Sequence, residues 1–456
     1  MTAELVLLAA GLTSSGKLIE AQLHDAPADR RVLILAGLDG SVADAKLLKA
    51  EKPEAKRFRS TVIANANPDN AKLTFPPTGQ AYKDNAESHY LWRFILNQAP
   101  DLVVIAGPDP ADLAGALTKY VATIKMEAAK GFTKRIRPPT DPSPLSKEMR
   151  SRQDRTPKQV AEELARVYGH ELTEAVYIPA VALIGRLRLN YLEDVERIVA
   201  PYLNGKDSLA KPTASHFSGH LVFAELYRRT KNEKYKSLVE QAAALAVRRP
   251  LDNEMSDWLF MATPLLAEAG RYDDALTEFR KMQKLCLRAD GLYRHSPLDE
   301  AAWGRGNAFP ALGMALALER IPATHAAFDE IRRAFQNLMS ALAAQQDDAG
   351  MWREVIDRPG AYRELSATSM IAVAMLKGMR LGWLSQQNYE PRVAHAWQAV
   401  KGRTASDGTL LDVCESTGKQ KSLQDYLQRK AIFDKDPRGG AMVLLLATEL
   451  AGLQQP

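Results

Sequence analysis

The chain has 456 residues, 60 Lys+Arg against 55 Asp+Glu, 46% hydrophobic and 25% charged residues and two cysteines. This composition excludes disorder, collagen-like repeats and disulfide-stapled scaffolds. A formal net charge of +5, with no arginine stripe interleaved with aromatics, is a solubility feature, and no nucleic-acid partner is expected.

The apolar run at 5–10 is short for a signal peptide and has no basic leader, and no run approaches the roughly 18 residues of a membrane span. The chain therefore reads as soluble, with no membrane partner; cytoplasm and periplasm both stay open. Residues 31–40, RVLILAGLDG, form a β-branched apolar run closed by glycine, and 60–64 and 101–107 repeat the pattern. Three buried parallel strands are predicted. Helical spacing over 43–50 and 87–98 alternates with them, which argues an α/β domain over 1–135 with strand C-terminal ends on one rim. Residues 136–156 hold Pro138, Pro139, Pro142 and Pro144 among charged and polar residues without an apolar period, and read as a solvated linker.

From 157 to 456 strand signals almost vanish. Helical spacing recurs over 157–168, 174–201, 213–229, 232–248, 254–269, 271–288, 303–319, 323–345, 364–383, 389–402, 422–431 and 437–453, twelve helices in six hairpins. Such an array can stay an open solenoid or close into an (α/α)6 barrel, because each hairpin needs a neighbour to cover its apolar face. The connections at 252–257, 295–307, 352–364 and 407–418 favour closure, since they gather Trp, Arg, His, carboxylates and Gly where a repeat adaptor uses short polar turns. Cys286 and Cys414 have no second Cys or His at metal-ligand spacing; two buried thiols and no metal or cofactor are expected.

Asp257 stands at the entrance of an apolar helix, followed by Trp258. Tyr293-Arg294-His295 precedes Trp303-Gly304-Arg305-Gly306-Asn307, where Trp, Arg and Asn supply stacking, charge and hydrogen bonding, and two glycines permit close backbone approach to a ligand. A sugar ring stacks on an aromatic, and a uronate asks for a guanidinium fork. A packed cation–π pair of Trp303 and Arg305 is the alternative. Glu364 and Asp412 read either as barrel-mouth groups or as helix caps.

The Trp303–Asn307 string with His295 upstream, the Asp-x-Leu-Phe-Met block at 257–261, and the segments 362–370, 412–418 and 439–441 together resemble the unsaturated uronyl hydrolases of glycoside hydrolase families 88 and 105, over about 170–455. The resemblance implies an (α/α)6 barrel and a substrate made by a polysaccharide lyase, an oligosaccharide with an unsaturated uronic acid at its non-reducing end. It implies hydration of the C4=C5 enol ether with Asp257 as general acid/base, and substrate contacts from His295, Trp303, Arg305, Asn307, Trp258, His216 and Glu364. A second Asp usual in that family is missing: the matching stretch is 213–220, where His216 or Ser215 could take over polar contacts. Asp299 or Glu300 is another source of an acid. A carbohydrate-binding pseudoenzyme and a glycosidase of different specificity are the alternatives. Oligomeric state is not read from the sequence.

Over 1–135 a weaker resemblance, carried by 13–19, 34–40, 65–69 and 87–104, points to zinc carboxypeptidases. Where that family holds zinc, this chain has Asp39, Val42 and Gly107, which implies a peptidase-like scaffold with neither metal nor peptidase activity.

Overall fold

Six strands, Leu5–Leu12 (β1), Leu18–His24 (β2), Arg31–Ala36 (β3), Arg59–Ile63 (β4), Leu102–Ala106 (β5) and Ala122–Met126 (β6), form one sheet in the order β1-β2-β4-β3-β5-β6. The computed structural model describes residues 5–24, 26, 28–42, 45, 46, 48, 57–248 and 254–452. They fall into two units: Met1–Asp154 with Arg358–Tyr362 and Gln428–Ala431, and Arg155–Asp357 with Arg363–Leu427 and Ile432–Pro456.

In the first unit β3 pairs in parallel with both β4 and β5, and β5 with β6. Strands covered on both faces read as continuous apolar runs, which is why β3, β4 and β5 are visible in the sequence. β1 and β2 pair antiparallel and β6 is an edge strand with mostly exposed or half-buried side chains; none of the three has an unbroken buried run of the β3 type, and all three escape the sequence reading. The helix expected over 87–98 is Ala86–Gln98. The one expected over 43–50 lies largely outside the described residues. The 136–156 stretch, expected as a solvated linker, carries the helix Pro144–Asp154 with Leu145 and Ser146 buried. Its Pro144 opens the helix, where the missing N–H costs nothing.

The second unit is helical. Six helices turn one face inward: Pro157–Ala165, Leu192–Leu203, Glu233–Arg248, Tyr272–Cys286, Ala326–Gln345 and Gln386–Gly402. In Tyr272–Cys286 the buried residues Ala275, Leu276, Phe279, Met282 and Cys286 follow the amphipathic spacing. Between them run six nearly all-buried inner helices: Tyr177–Arg188, Ala214–Gly219 continued by Leu221–Thr230, Trp258–Met261 continued by Thr263–Glu268, Gly304–Leu318, Leu365–Arg380 and Pro437–Leu450. Each inner helix packs on the next, and Pro437–Leu450 packs back on Tyr177–Arg188. The ring is closed, which excludes the open solenoid. Gly185 marks the closing contact, since a Cβ there would stand 2.6 Å from Leu444.

The expected count of twelve hides two compensating errors. The segment 174–201 is two helices, because Asn190 adopts φ 66° between the end of Tyr177–Arg188 and the start of Leu192–Leu203. The segment 422–431 contains only the short helix Leu423–Leu427, in a loop. With outer and inner helices alternating in direction, all six inner N-termini lie at one mouth of the barrel and all six C-termini at the other. Cys286 and Cys414 are free and buried, and burial pushes the Cys286 thiol up to about 12.

At Gly313 a Cβ would stand 2.1 Å from the carbonyl oxygen of Leu259. Helix propensity favours alanine there by about 1 kcal/mol, yet a backbone clash of this size outweighs it, as overpacking costs about 1–3 kcal/mol. Gly313→Ala is therefore expected to lower stability in denaturant titration, and a stabilised variant would contradict the close crossing of these helices.

Candidate active site

Asp257 immediately precedes the inner helix Trp258–Met261, and its side chain caps nothing. The backbone N–H of Ser256 donates to the carbonyl of His295 (2.9 Å), and the Ser256 hydroxyl donates to the carbonyl of Gly306 (2.6 Å). These two bonds bring the Asp257 loop against the His295 loop and the start of Gly304–Leu318. Asp257 Oδ1 then lies 3.3 Å from His295 Nε2. The pair is too poorly aligned for a hydrogen bond, so both atoms are buried without one. Such groups are rare in folded proteins and call for an explanation. The carboxylate still keeps 11% of its side-chain surface open, so a ligand can reach it.

His295 is fully buried. Its Nδ1 lies 2.9 Å from Tyr426 Oη, and Tyr426 Oη accepts the N–H of Gln420 (3.3 Å). Burial pushes the Tyr426 phenol up to about 12. Tyr426 thus holds the His295 ring from its Nδ1 side, with Nε2 facing Asp257.

Several residues expected to touch substrate have hydrogen-bond or packing partners within the protein. Trp303 is 1% exposed, with the Arg305 guanidinium 4.6 Å from its ring centre and the His295 ring 4.4 Å away. Arg305 donates to the carbonyls of Cys414 (2.7 Å) and Glu415 (2.6 Å). The packed cation–π pair is thus the arrangement found. The two glycines of the string approach protein rather than ligand: a Cβ at Gly304 would stand 2.7 Å from the Arg353 carbonyl, and one at Gly306 3.2 Å from Ser256 Oγ. Asn307 accepts from Tyr293 N (2.8 Å) and donates to the carbonyls of Tyr293 (2.9 Å) and Trp303 (3.0 Å), which anchors the His295 loop. The Trp258 indole donates to Glu278 (2.6 Å). Glu364 caps Leu365–Arg380, accepting from Ser366 N (3.1 Å), the Ser366 hydroxyl (2.8 Å) and Cys414 N (2.9 Å). His216 Nδ1 bonds Thr213 Oγ1 (2.9 Å) and accepts from Thr213 N (3.2 Å) in a capping box, and burial lowers its pKa. Ser215 Oγ accepts from Tyr177 N (3.3 Å). Asp299 accepts from Ala301 N (2.7 Å) within its own turn, and the exposed Glu300 pairs with Arg294. Asp412 lies 3.3 Å from Arg403.

Three residues at the same mouth were missed. One is Tyr426. Tyr177 is half-buried at the start of its inner helix, edge-on to Phe260 and Phe309; burial raises its phenol pKa, against the Arg305 and Arg438 charges and with that of Asp257. Arg438 places its charge near the Tyr177 phenol and lies 3.4 Å from the Cys414 carbonyl and 3.5 Å from Asp436. A lone Tyr or Arg at a helix start has no pattern of its own; only ring closure brings 177 beside 438. Among the described residues no group of three or more His, Cys, Asp or Glu is placed to hold a metal.

A family model described as Glycosyl Hydrolase Family 88 matches residues 147–454. The chain is similar to an unsaturated rhamnogalacturonyl hydrolase, YesR, of Bacillus subtilis, 29% identical over 188 residues, which cover 38% of this chain and 53% of the relative. It is also similar to an unsaturated 3S-rhamnoglycuronyl hydrolase of Formosa agariphila, 30% identical over 110 residues, 24% of this chain and 29% of that one. The chain spans about half the length, or less, of these two curated relatives. Among solved structures it is similar to a possible member of family GH105 from Klebsiella pneumoniae, with a TM-score of 0.56, 21% identity, and 67% of this chain and 93% of that one covered. A family 105 glycoside hydrolase of C. acetobutylicum gives a TM-score of 0.55 at 20% identity, covering 65% and 99%. These last two show the helical-barrel fold.

Proposed function

The chain belongs to glycosyl hydrolase family 88, and we propose that its barrel hydrates the C4=C5 double bond of an unsaturated uronic acid at the non-reducing end of a lyase-generated oligosaccharide. Asp257 passes a proton to C4, water adds at C5, and the proton of that water returns to the carboxylate. The resulting hemiketal opens and releases the next sugar. The single observation that carries this reading is the buried, unpartnered Asp257 Oδ1 facing the unpartnered His295 Nε2 3.3 Å away: one proton-transfer group with a fixed neighbour at an open mouth, which is what this reaction requires.

Tyr426 is a positioning residue that holds the His295 ring beside Asp257. The uronate carboxylate, for which Arg305 is the sequence candidate, is assigned to Arg438, supported by its place beside Tyr177 and its partial exposure. Arg305 is a wall of the site, since its donors reach the Cys414 and Glu415 carbonyls. For the first unit we keep the reading of a peptidase-like accessory scaffold, supported by Asp39, Val42 and Gly107 following β3 and β5. The Asp39 carboxylate there accepts from Ser41 N (3.0 Å) in its own turn. Stoichiometric zinc in the purified protein would contradict it.

The test follows loss of ultraviolet absorbance of the unsaturated uronate with lyase-generated oligosaccharides from pectin, glycosaminoglycan and ulvan. Wild type is expected to consume at least one, Asp257→Asn to lose about 10²–10⁴-fold in kcat, and Arg438→Gln to raise KM more than it lowers kcat. Full activity in Asp257→Asn overturns the assignment; saturable binding of sugars without turnover by wild type favours a binding barrel. Tyr426→Phe is expected to lower kcat about tenfold, the worth of one hydrogen bond of ~1.4 kcal/mol, with KM nearly unchanged. The His295 Nδ1 chemical shift should differ from that of wild type. An unaltered Nδ1 shift with unaltered kcat would remove Tyr426 from the site.

A further inference from the structure

At the mouth formed by the C-terminal ends of the inner helices, away from Asp257, lies a cavity of about 310 Å³. That is the lower end of the range for small-molecule pockets, so it suits a molecule of one ring and not an oligomer. Val181, Ile184, Phe260, Leu312 and Leu445 give it an apolar wall, and charged side chains line the rest.

Charges of both signs meet in that lining. Glu225 pairs with Arg228 (2.7 Å), Glu319 with Lys377 (2.8 Å), and Glu268 with Arg320 (3.0 Å) and Arg228. An ion entering among paired charges loses its hydration for little Coulomb gain, and an apolar molecule strips water from polar atoms without replacing it. A hydroxyl avoids both costs, because it donates and accepts at once. One ion pair is arranged to receive two hydroxyls. Glu268 takes the Arg228 and Arg320 bonds on a single oxygen, Oε1, and neither bond uses Oε2. Arg320 gives its Nε to that contact, and its terminal nitrogens lie outside it. Both side chains line the cavity and keep open surface, 13% for Glu268 and 34% for Arg320.

We propose that this cavity binds one neutral sugar ring through two adjacent hydroxyls, one donating to Glu268 Oε2 and the other accepting from the Arg320 guanidinium, while the C–H face of the ring lies on the apolar wall. The Glu268–Arg320 ion pair holds acceptor and donor side by side, so their spacing is set before the ligand arrives. Ionised groups also make the stronger hydrogen bonds to a neutral partner. The site is separate from the reaction assigned to Asp257 and does not rest on that assignment; neither Arg320 nor Glu268 belongs to that machinery.

The test is a saturation-transfer NMR titration of the full chain with D-glucose, D-galactose and L-rhamnose, and with cyclohexane-1,2-diol, cyclohexanol, glucuronate and glycine as comparisons. At least one of the three sugars is expected to bind saturably, the diol more tightly than cyclohexanol, and neither glucuronate nor glycine more tightly than the best sugar. Arg320→Gln should weaken that sugar about tenfold, the worth of one hydrogen bond. Arg320→Lys keeps the charge beside Glu268 but removes the fork, and should weaken it as well, which separates lost contacts from a lost fold. Binding is expected to persist in Arg438→Gln, at the opposite mouth. No saturable binding by any of the three sugars, tighter binding of glucuronate or glycine, equal binding of diol and cyclohexanol, or a loss in Arg438→Gln without one in Arg320→Gln would each overturn the proposal and leave the ion pairs as a seal of the barrel end.

Discussion

Closure of the helical ring is the constraint on which the rest of the second unit depends. An inner helix that is apolar all round has no solvent-tolerant face, so it needs a neighbour on each side. The last inner helix meets that need only by packing on the first, Leu444 against Gly185. Once closed, the ring brings together the N-termini of inner helices that begin as far apart in sequence as Tyr177 and Pro437. Tyr177, Asp257, the start of Gly304–Leu318 and Arg438 become neighbours without any local sequence relation between them.

Within that frame, hydrogen-bond accounting separates scaffold from site. The Trp303–Asn307 string looks like a sugar platform, yet its polar atoms are largely consumed by the fold. Asn307 ties down the Tyr293 backbone and Arg305 ties down the 414–415 loop. Both loops border the Asp257 mouth, so these residues serve the site by fixing what surrounds it. Trp303 is the exception in part, since its indole nitrogen is buried without a partner. What stays unsatisfied at the mouth is the facing pair Asp257 and His295. Polar groups are left unpaired in a folded protein where function keeps them so.

The sequence made the fold more legible than the site. Continuous apolar runs announce β3, β4 and β5, while the amphipathic alternation of β2 and the exposed edge strand β6 carry too little signal. Helix spacing places the barrel helices, but a single left-handed residue, Asn190, splits one expected helix in two. Asp257 and His295 are legible because they sit in ordered motifs that resemble a known family. Their neighbours Tyr177, Tyr426 and Arg438 are not, since each depends on a tertiary contact of long sequence separation. Glu364, Trp258 and His216 are harder to read: groups at helix starts serve as caps and anchors as well as ligands, and here each has a partner within the protein.

The most direct test of this account is a crystal structure of the Asp257→Asn protein with an unsaturated disaccharide bound. The account predicts the sugar at the mouth formed by the inner-helix N-termini, with C4 within hydrogen-bonding reach of residue 257, the uronate carboxylate on Arg438 and the His295 ring beside residue 257. A sugar bound there with its double bond turned away from residue 257, or with its carboxylate on another cation, would contradict it.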